Sequence, residues 1–299
     1  MEFLRQPLAE LASRADKIRK ECAGNKLELC SIINAKSGLC NEDCKFCAQS
    51  SRHPARISHY SLRGKDEIVK RARNAKKIGA RKFGIVTSGN KLSPKELDNI
   101  ASCVSEIKNK IGITVCASLG ALEKPQLKTL KEAGLSRYHH NIETSSRFYP
   151  RIVSTHGIDE RIRTIEQAKI AGLEVCSGGI IGMGESWQDR IDMARLLKKL
   201  DVDSVPINLL VPVKGTALES LPPISRKDAI RTISIFRIIL KDKIIKIAAG
   251  REAILKNSQA MGFTAGANGM LIGGYLTIKG RALEDDYKLI EEIKRLWKE

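Results

Sequence analysis

The segment IEQAKIAGLEVCSGGIIGMGESWQDRIDMARLLKK, residues 165–199, decides the fold. It opens inside a charged, helix-periodic stretch that Gly172 closes, glycine being the residue type that ends helices in a left-handed turn. LEVCSG (173–178) then alternates apolar and polar residues, which predicts a strand. A glycine-rich turn follows, and helical periodicity returns over 187–199. This strand–helix unit recurs along the chain. Strands are predicted at 28–34, 82–87, 113–118, 136–142, 173–178, 203–209, 243–248 and 268–273. Helices fit at 66–79, 93–110, 124–133, 158–171, 187–199, 225–240 and 251–261, with Ser93 and Pro94 as a cap and first-turn proline. No Pro/Ser-rich linker interrupts the series. The expected fold is a (β/α)8 TIM-type barrel over 28–299, with residues 1–27 as a helical cap on its bottom. A doubly wound open sheet is the other arrangement that fits.

Composition narrows the class. The 299 residues are 42% hydrophobic and 29% charged, ordinary for a globular chain. The first residues, MEFLRQPLAELASRADKIRK, carry charges too often for a secretory signal, and the apolar run near 240 is broken by Lys241, Asp242, Lys243 and Lys246. A cytoplasmic protein without a membrane segment is expected. In that reducing compartment the eight cysteines are read as thiols for metal or catalysis, not as disulfides. The net charge of +18 is spread along the chain, with aromatics at only 4%. That pattern reads as a solvated basic surface, not a nucleic-acid site, and it suits an acidic electron-transfer partner.

Chemistry concentrates in GLCNEDCKFCAQSSRH (38–53), which spaces Cys40, Cys44 and Cys47 as C-x3-C-x2-C. The loop follows the first strand, so it lies on the C-terminal rim where such barrels carry their sites. Structural zinc needs four ligands. Three thiolates suit a four-iron cluster that leaves one iron open. A second set is written into the strands: LELCSI, ITVCAS and LEVCSG each run apolar, polar, apolar, Cys, small. They place Cys30, Cys116 and Cys176 on strands one, three and five, whose inward residues share layers. Strand seven ends in AAGRE and offers Arg251 to the same layer. Ligation of a second cluster is the reading that explains this register, against three small buried hydrophobes. His139 and His140 are consecutive on a strand, so at most one should face inward, and neither is assigned as a ligand. Cys22 and Cys103 fall on predicted helices and read as packing residues.

The C-x3-C-x2-C loop with Phe46 before its last cysteine resembles the radical S-adenosylmethionine enzymes. YHHNIETS (138–145), VCSGGIIGMGES (175–186), SVPINLLVPVKGT (204–216), AAGRE (248–252) and AGAN (265–268) follow the order and spacing of the biotin synthase family. The resemblance runs from about Leu27 to Leu276. It implies a 4Fe-4S cluster whose open iron binds S-adenosylmethionine, one-electron cleavage to methionine and a 5′-deoxyadenosyl radical, and hydrogen abstraction from dethiobiotin. Sulfur then comes from an auxiliary cluster. Family positions match Cys116, Cys176 and Arg251 as auxiliary ligands. The family's second-strand cysteine is replaced here by Gly84, with Cys30 as the candidate substitute, so the auxiliary cluster is 2Fe-2S or larger. Phe46, Asn141, Glu143, Arg161, Gly179 and Ile180 match S-adenosylmethionine positions: Asn141 and Glu143 toward the ribose, Arg161 toward the methionine carboxylate. Asn141, Asn208 and Thr277 match substrate positions, with Ile278 where the family has a second threonine. Flavodoxin or ferredoxin as donor and a homodimer are also implied. The alternatives are another radical enzyme of the superfamily, maturase-like or C–C bond-forming, and a basic cluster protein acting on RNA.

Overall fold

The computed structural model describes residues 2–274, 280 and 282–298. Eight parallel strand positions form a closed ring. They are Glu28–Lys36, Lys82–Thr87, Thr114–Ser118, Arg137–His139, a fifth strand in two pieces (Glu174–Cys176 and Gly179–Ile181), Ser204–Leu209, Ile244–Ile247 and Gly269–Leu271. Neighbours pair in chain order. The last pairs with the first through Leu29↔Met270, and Cys176↔Ser204 joins the fifth to the sixth. The barrel is therefore the expected (β/α)8 architecture; an open sheet would leave two unpaired edges.

Local sequence explains the surrounding layer. Ser93 accepts from the Glu96 N–H, and the Glu96 carboxylate accepts from the Ser93 N–H, a capping box that starts helix Pro94–Lys110. That helix buries Leu97, Ile100, Cys103, Val104 and Ile107, a three-and-four spacing that lays one stripe on the barrel. Each such side chain contributes about 1.5–3 kcal/mol when fully buried. Gly134, with φ 106, ends helix Lys124–Ala133 in the left-handed region, as the sequence pattern requires. A helix at Leu283–Lys298 completes the outer layer, burying Leu289, Ile290, Ile293 and Trp297.

The N-terminal segment forms helix Leu8–Ala23, which packs on the outer helices. Leu11 and Ala15 pack against Ile191, Ile235 and Ile238, so the helix runs along the flank of helix Arg226–Leu240. Arg19 stacks on Trp297 at 4.1 Å and ties this helix to the C-terminal one. Cys22 is exposed, while Cys103 is packed in the core. No helix among the described residues is long and apolar enough to cross a membrane.

Candidate active site

The strand ends and the loops above them enclose one cavity of about 510 Å³. Six of the eight cysteines line it: Cys40, Cys44 and Cys47 from the rim loop, and Cys30, Cys116 and Cys176 from the barrel wall. The period-two alternation of strands turns Cys30, Cys116 and Cys176 inward, and the loop after the first strand brings Cys40, Cys44 and Cys47 over them. Cys30 pairs across from Lys82, Cys116 from Arg137, and Cys176 from His139.

The rim loop is held from one side. Asp43 accepts from the Ser154 and Thr155 N–H groups at 2.9 and 3.2 Å, and the Lys45 N–H donates to Ile152 O at 3.0 Å. Cys47 N–H donates to Cys44 O at 2.9 Å, a tight turn that keeps both residues on the cavity lining. Burial pushes the Cys44 thiol up to about 12 and Cys47 to about 11. Both would ionise in exchange for a cation. Among the described residues no three His, Cys, Asp or Glu side chains converge on one metal ion. A closed tetrahedral zinc site is therefore not built, whereas a cluster spreads its thiolates over several irons.

The wall thiols sit in a charged layer that the sequence reading missed. Glu28 accepts from Arg137 at 2.8 Å and pairs with Lys246 at 2.9 Å and Lys82 at 3.4 Å. Arg137 and Lys82 also hold Glu174, at 2.8 and 3.0 Å. Burial alone would raise the Glu28 pKa, but Lys246, Arg137 and Lys82 together hold it down to about 2. Burial raises Cys116 to about 12. Cys176 goes the other way: Lys246, the hydrogen-bonding His139 and Arg137 outweigh burial and bring it down to about 6. These cations favour the thiolate, the form that ligates a soft metal.

Arg251 is not in this layer. The chain leaves the seventh strand at Ile247, and Gly250 turns it with φ 80. Arg251 thereby enters a short helix behind the wall. It is fully buried there, on Gln259 Oε1 at 2.7 Å and Asp286 at 2.9 Å. The inward cation of strand seven is Lys246, one side of the period-two pattern earlier.

Of the other expected residues, Phe46, Asn141, Glu143, Arg161 and Asn208 line the cavity, and so does Gly84. Asn141 Oδ1 accepts from the Gly178 N–H at 3.0 Å, and Asn208 spans Gly179 O and the Ala249 N–H. Each amide keeps one N–H to offer. Glu143 has φ 65, a left-handed conformation that costs a side-chain-bearing residue about 1–3 kcal/mol. Burial pushes its carboxyl up, opposed first by Arg161 at 3.7 Å. Gly179 and Ile180 are not on the lining. A Cβ at Gly178 would meet Pro206 O at 2.0 Å, and one at Gly179 would meet Glu143 O at 2.2 Å. These glycines let neighbouring backbone segments approach each other closely. Ile180, like Phe46 and Cys47, packs against the buried cluster that includes Cys44, Phe148 and Met183. Thr277 lies outside the described residues. Both His139 and His140 border the cavity, because the strand ends at His139 and the alternation ends with it.

The site agrees with the comparisons. A Radical SAM superfamily model matches residues 36–197, and a Biotin and Thiamin Synthesis associated domain matches 206–294. The biotin synthase of Thermotoga neapolitana is 53% identical over 91% of this chain and 98% of its own. The chain belongs to the biotin synthase family. The biotin synthase of Thermotoga petrophila is 49% identical over 99% of this chain and 98% of its own. Biotin synthases are sulfurtransferases, and the chain is an enzyme of that class. Methylornithine synthase superposes with a TM-score of 0.79 over 97% of this chain and 87% of its own, at 22% identity, a likeness of fold. Family membership selects biotin synthase chemistry over the maturase-like, C–C bond-forming and RNA-acting alternatives.

Proposed function

We propose that the chain converts dethiobiotin to biotin in this cavity, using two iron–sulfur clusters held by the two sets of cysteines. One observation carries the proposal: two independent groups of three thiols, from a rim loop and from three barrel strands, border a single cavity of about 510 Å³. Cys40, Cys44 and Cys47 would hold a 4Fe-4S cluster with one open iron for S-adenosylmethionine. Cys30, Cys116 and Cys176 would hold the auxiliary cluster, with Cys30 standing in for the thiol absent at Gly84. When bound, the first cluster supplies the electron that cleaves S-adenosylmethionine and the second supplies sulfur.

The residues of the chain have simpler tasks. Arg161 binds the methionine carboxylate, Asn141 and Glu143 the ribose, and Phe46 flanks the cofactor. Asn141 and Asn208 offer their remaining amide protons to the ureido ring, and Thr277 belongs to the carboxylate end of the substrate. Lys246, Lys82 and Arg137 balance the negative charge of thiolates and sulfides, in place of Arg251. The walls exclude water from reacting carbon. A low-potential acidic donor, a flavodoxin or ferredoxin, would dock on the rim, where Leu39 is 70% exposed beside Cys40 and Lys91 borders the adjoining hollow. Residence in the reducing cytoplasm fits six thiols around one cavity. Pairing into a homodimer is part of the same proposal, to be read by light scattering.

The test is anaerobic. The protein is reconstituted with iron and sulfide, then given reductant, S-adenosylmethionine and dethiobiotin. Biotin and 5′-deoxyadenosine are quantified together by mass spectrometry. Both are expected. Deoxyadenosine without biotin from fully loaded protein would overturn the substrate assignment.

A further inference from the structure

Arg161 reaches the cavity through a side-chain relay that starts on the rim loop. Glu42, between the first two loop cysteines, lies 2.8 Å from His156 Nδ1. His156 Nε2 lies 3.0 Å from the Arg161 NH2 nitrogen. Arginine only donates, so His156 Nε2 must accept, and Nδ1 must carry the proton that goes to Glu42. Two further contacts fix the guanidinium: Nε donates to Tyr149 Oη at 2.6 Å and NH1 to Asn141 O at 3.0 Å. Three of five donors are then engaged. The two left are one on each terminal nitrogen, the pair a carboxylate accepts in parallel. Glu143 Oε1 stands 3.7 Å from NH1, outside hydrogen-bond range, so it does not take that pair.

We infer that His156 is a positioning residue: buried between Glu42 and Arg161, it holds the guanidinium so that its two free N–H groups face the carboxylate of S-adenosylmethionine. The inference rests on the proposed role of Arg161 and adds what aims it. Without His156 the NH2 nitrogen has no partner on that side, and the guanidinium is free to turn onto the nearby Glu143 carboxylate. Because Glu42 belongs to the cysteine loop, the relay also links the aim of Arg161 to the seat of the cluster.

The experiment compares reconstituted wild type, His156→Ala and His156→Gln. Iron content, S-adenosylmethionine affinity by equilibrium dialysis, and the change that S-adenosylmethionine causes in the electron paramagnetic resonance of the reduced protein are measured. A glutamine amide can accept from Arg161 and donate to Glu42. His156→Ala is expected to keep its iron, to bind S-adenosylmethionine about 10-fold more weakly and to lose most of the spectral change; His156→Gln is expected to restore both. Wild type that binds no S-adenosylmethionine would sink the reading of the site itself. Wild type that binds, with His156→Ala within about twofold of it and an unaltered spectral change, would overturn the inference alone. Equal loss of iron in both variants would also overturn it, since the relay would then serve the loop and not Arg161.

Discussion

Lys246 Nζ and Glu28 Oε1 stand 2.9 Å apart across the eighth strand, where both residues align with Gly269, beside the Cys30 thiol, which lies 3.6 Å from the same oxygen. The pair couples strands one and seven beneath the wall thiols. Lys246→Met keeps the length of the side chain and removes the charge. It leaves Glu28 with two cations where it had three, and Cys176 without its main acidifying neighbour. Iron and sulfide content should fall to about half, with the loop cluster retained. Full content in the variant would show that Lys246 is not needed to hold the auxiliary cluster.

The two thiol sets should separate in function. Cys44→Ala should abolish formation of both 5′-deoxyadenosine and biotin. Cys30→Ala should abolish biotin while cleavage of S-adenosylmethionine continues, because the rim loop is untouched. Biotin from Cys30→Ala at wild-type yield would return the third auxiliary position to an unassigned ligand.

Arg251 should matter for stability alone. Its ion pair with Asp286 at 2.9 Å is fully buried, and removing one partner strands the other. Arg251→Ala should lower unfolding free energy by about 3–5 kcal/mol, while Arg251→Met with Asp286→Leu should recover much of it. Chemical denaturation reads the difference. In whatever fraction folds, the spectra of both clusters should match wild type.

Asp189 gives the fold a defined acid limit. It is 3% exposed and accepts from Ser145 Oγ at 2.7 Å, Arg147 at 2.8 Å and the Ser186 N–H at 2.9 Å. Burial raises its pKa, but these bonds overcome that and hold it at about 2, below the ordinary 3.8. A depressed carboxylate contributes stability that is complete above its unfolded pKa and lost as pH falls through the folded one. Asp189→Asn should therefore cost about 2 kcal/mol at pH 7 and show a flatter decline between pH 4 and about pH 2. Parallel pH profiles for wild type and variant would refute the assignment.

The sequence carried the barrel because short apolar strands alternate with helix-periodic segments, some of them opened by a cap such as Ser93, Ser186 or Ser225. It carried the wall thiols because a period of two fixes a face once the strand is known. The same rule failed wherever the strand had already ended. Arg251 was projected from a strand that stops at Ile247, and only the left-handed turn at Gly250 reveals that its face is lost. His139 and His140 were split between faces although the alternation ends between them. Lys246 reads in sequence as a charge interrupting an apolar run. Its inward direction makes sense only beside Glu28, 218 positions away in the chain (246 − 28), a pairing that no local pattern contains. The glycines at 178 and 179 also have a packing reason that no local pattern contains, since a Cβ at either would meet an opposing carbonyl oxygen.

The fifth strand, interrupted before Gly179, meets the sixth in two places, through Cys176↔Ser204 and through Gly179–Ile181 against Ile207–Leu209. Parallel pairings over such long stretches of chain are slow to form, because the entropy of closing each loop precedes the contacts that offset it. The wall thiols come from positions 30, 116 and 176, so their common layer exists only after sheet closure. A nascent chain that has not yet passed Ser204 has all eight cysteines but not the closed ring that gathers Cys30, Cys116 and Cys176. Loading of the auxiliary cluster proposed above would then wait for the finished barrel, whereas the rim loop could be loaded earlier.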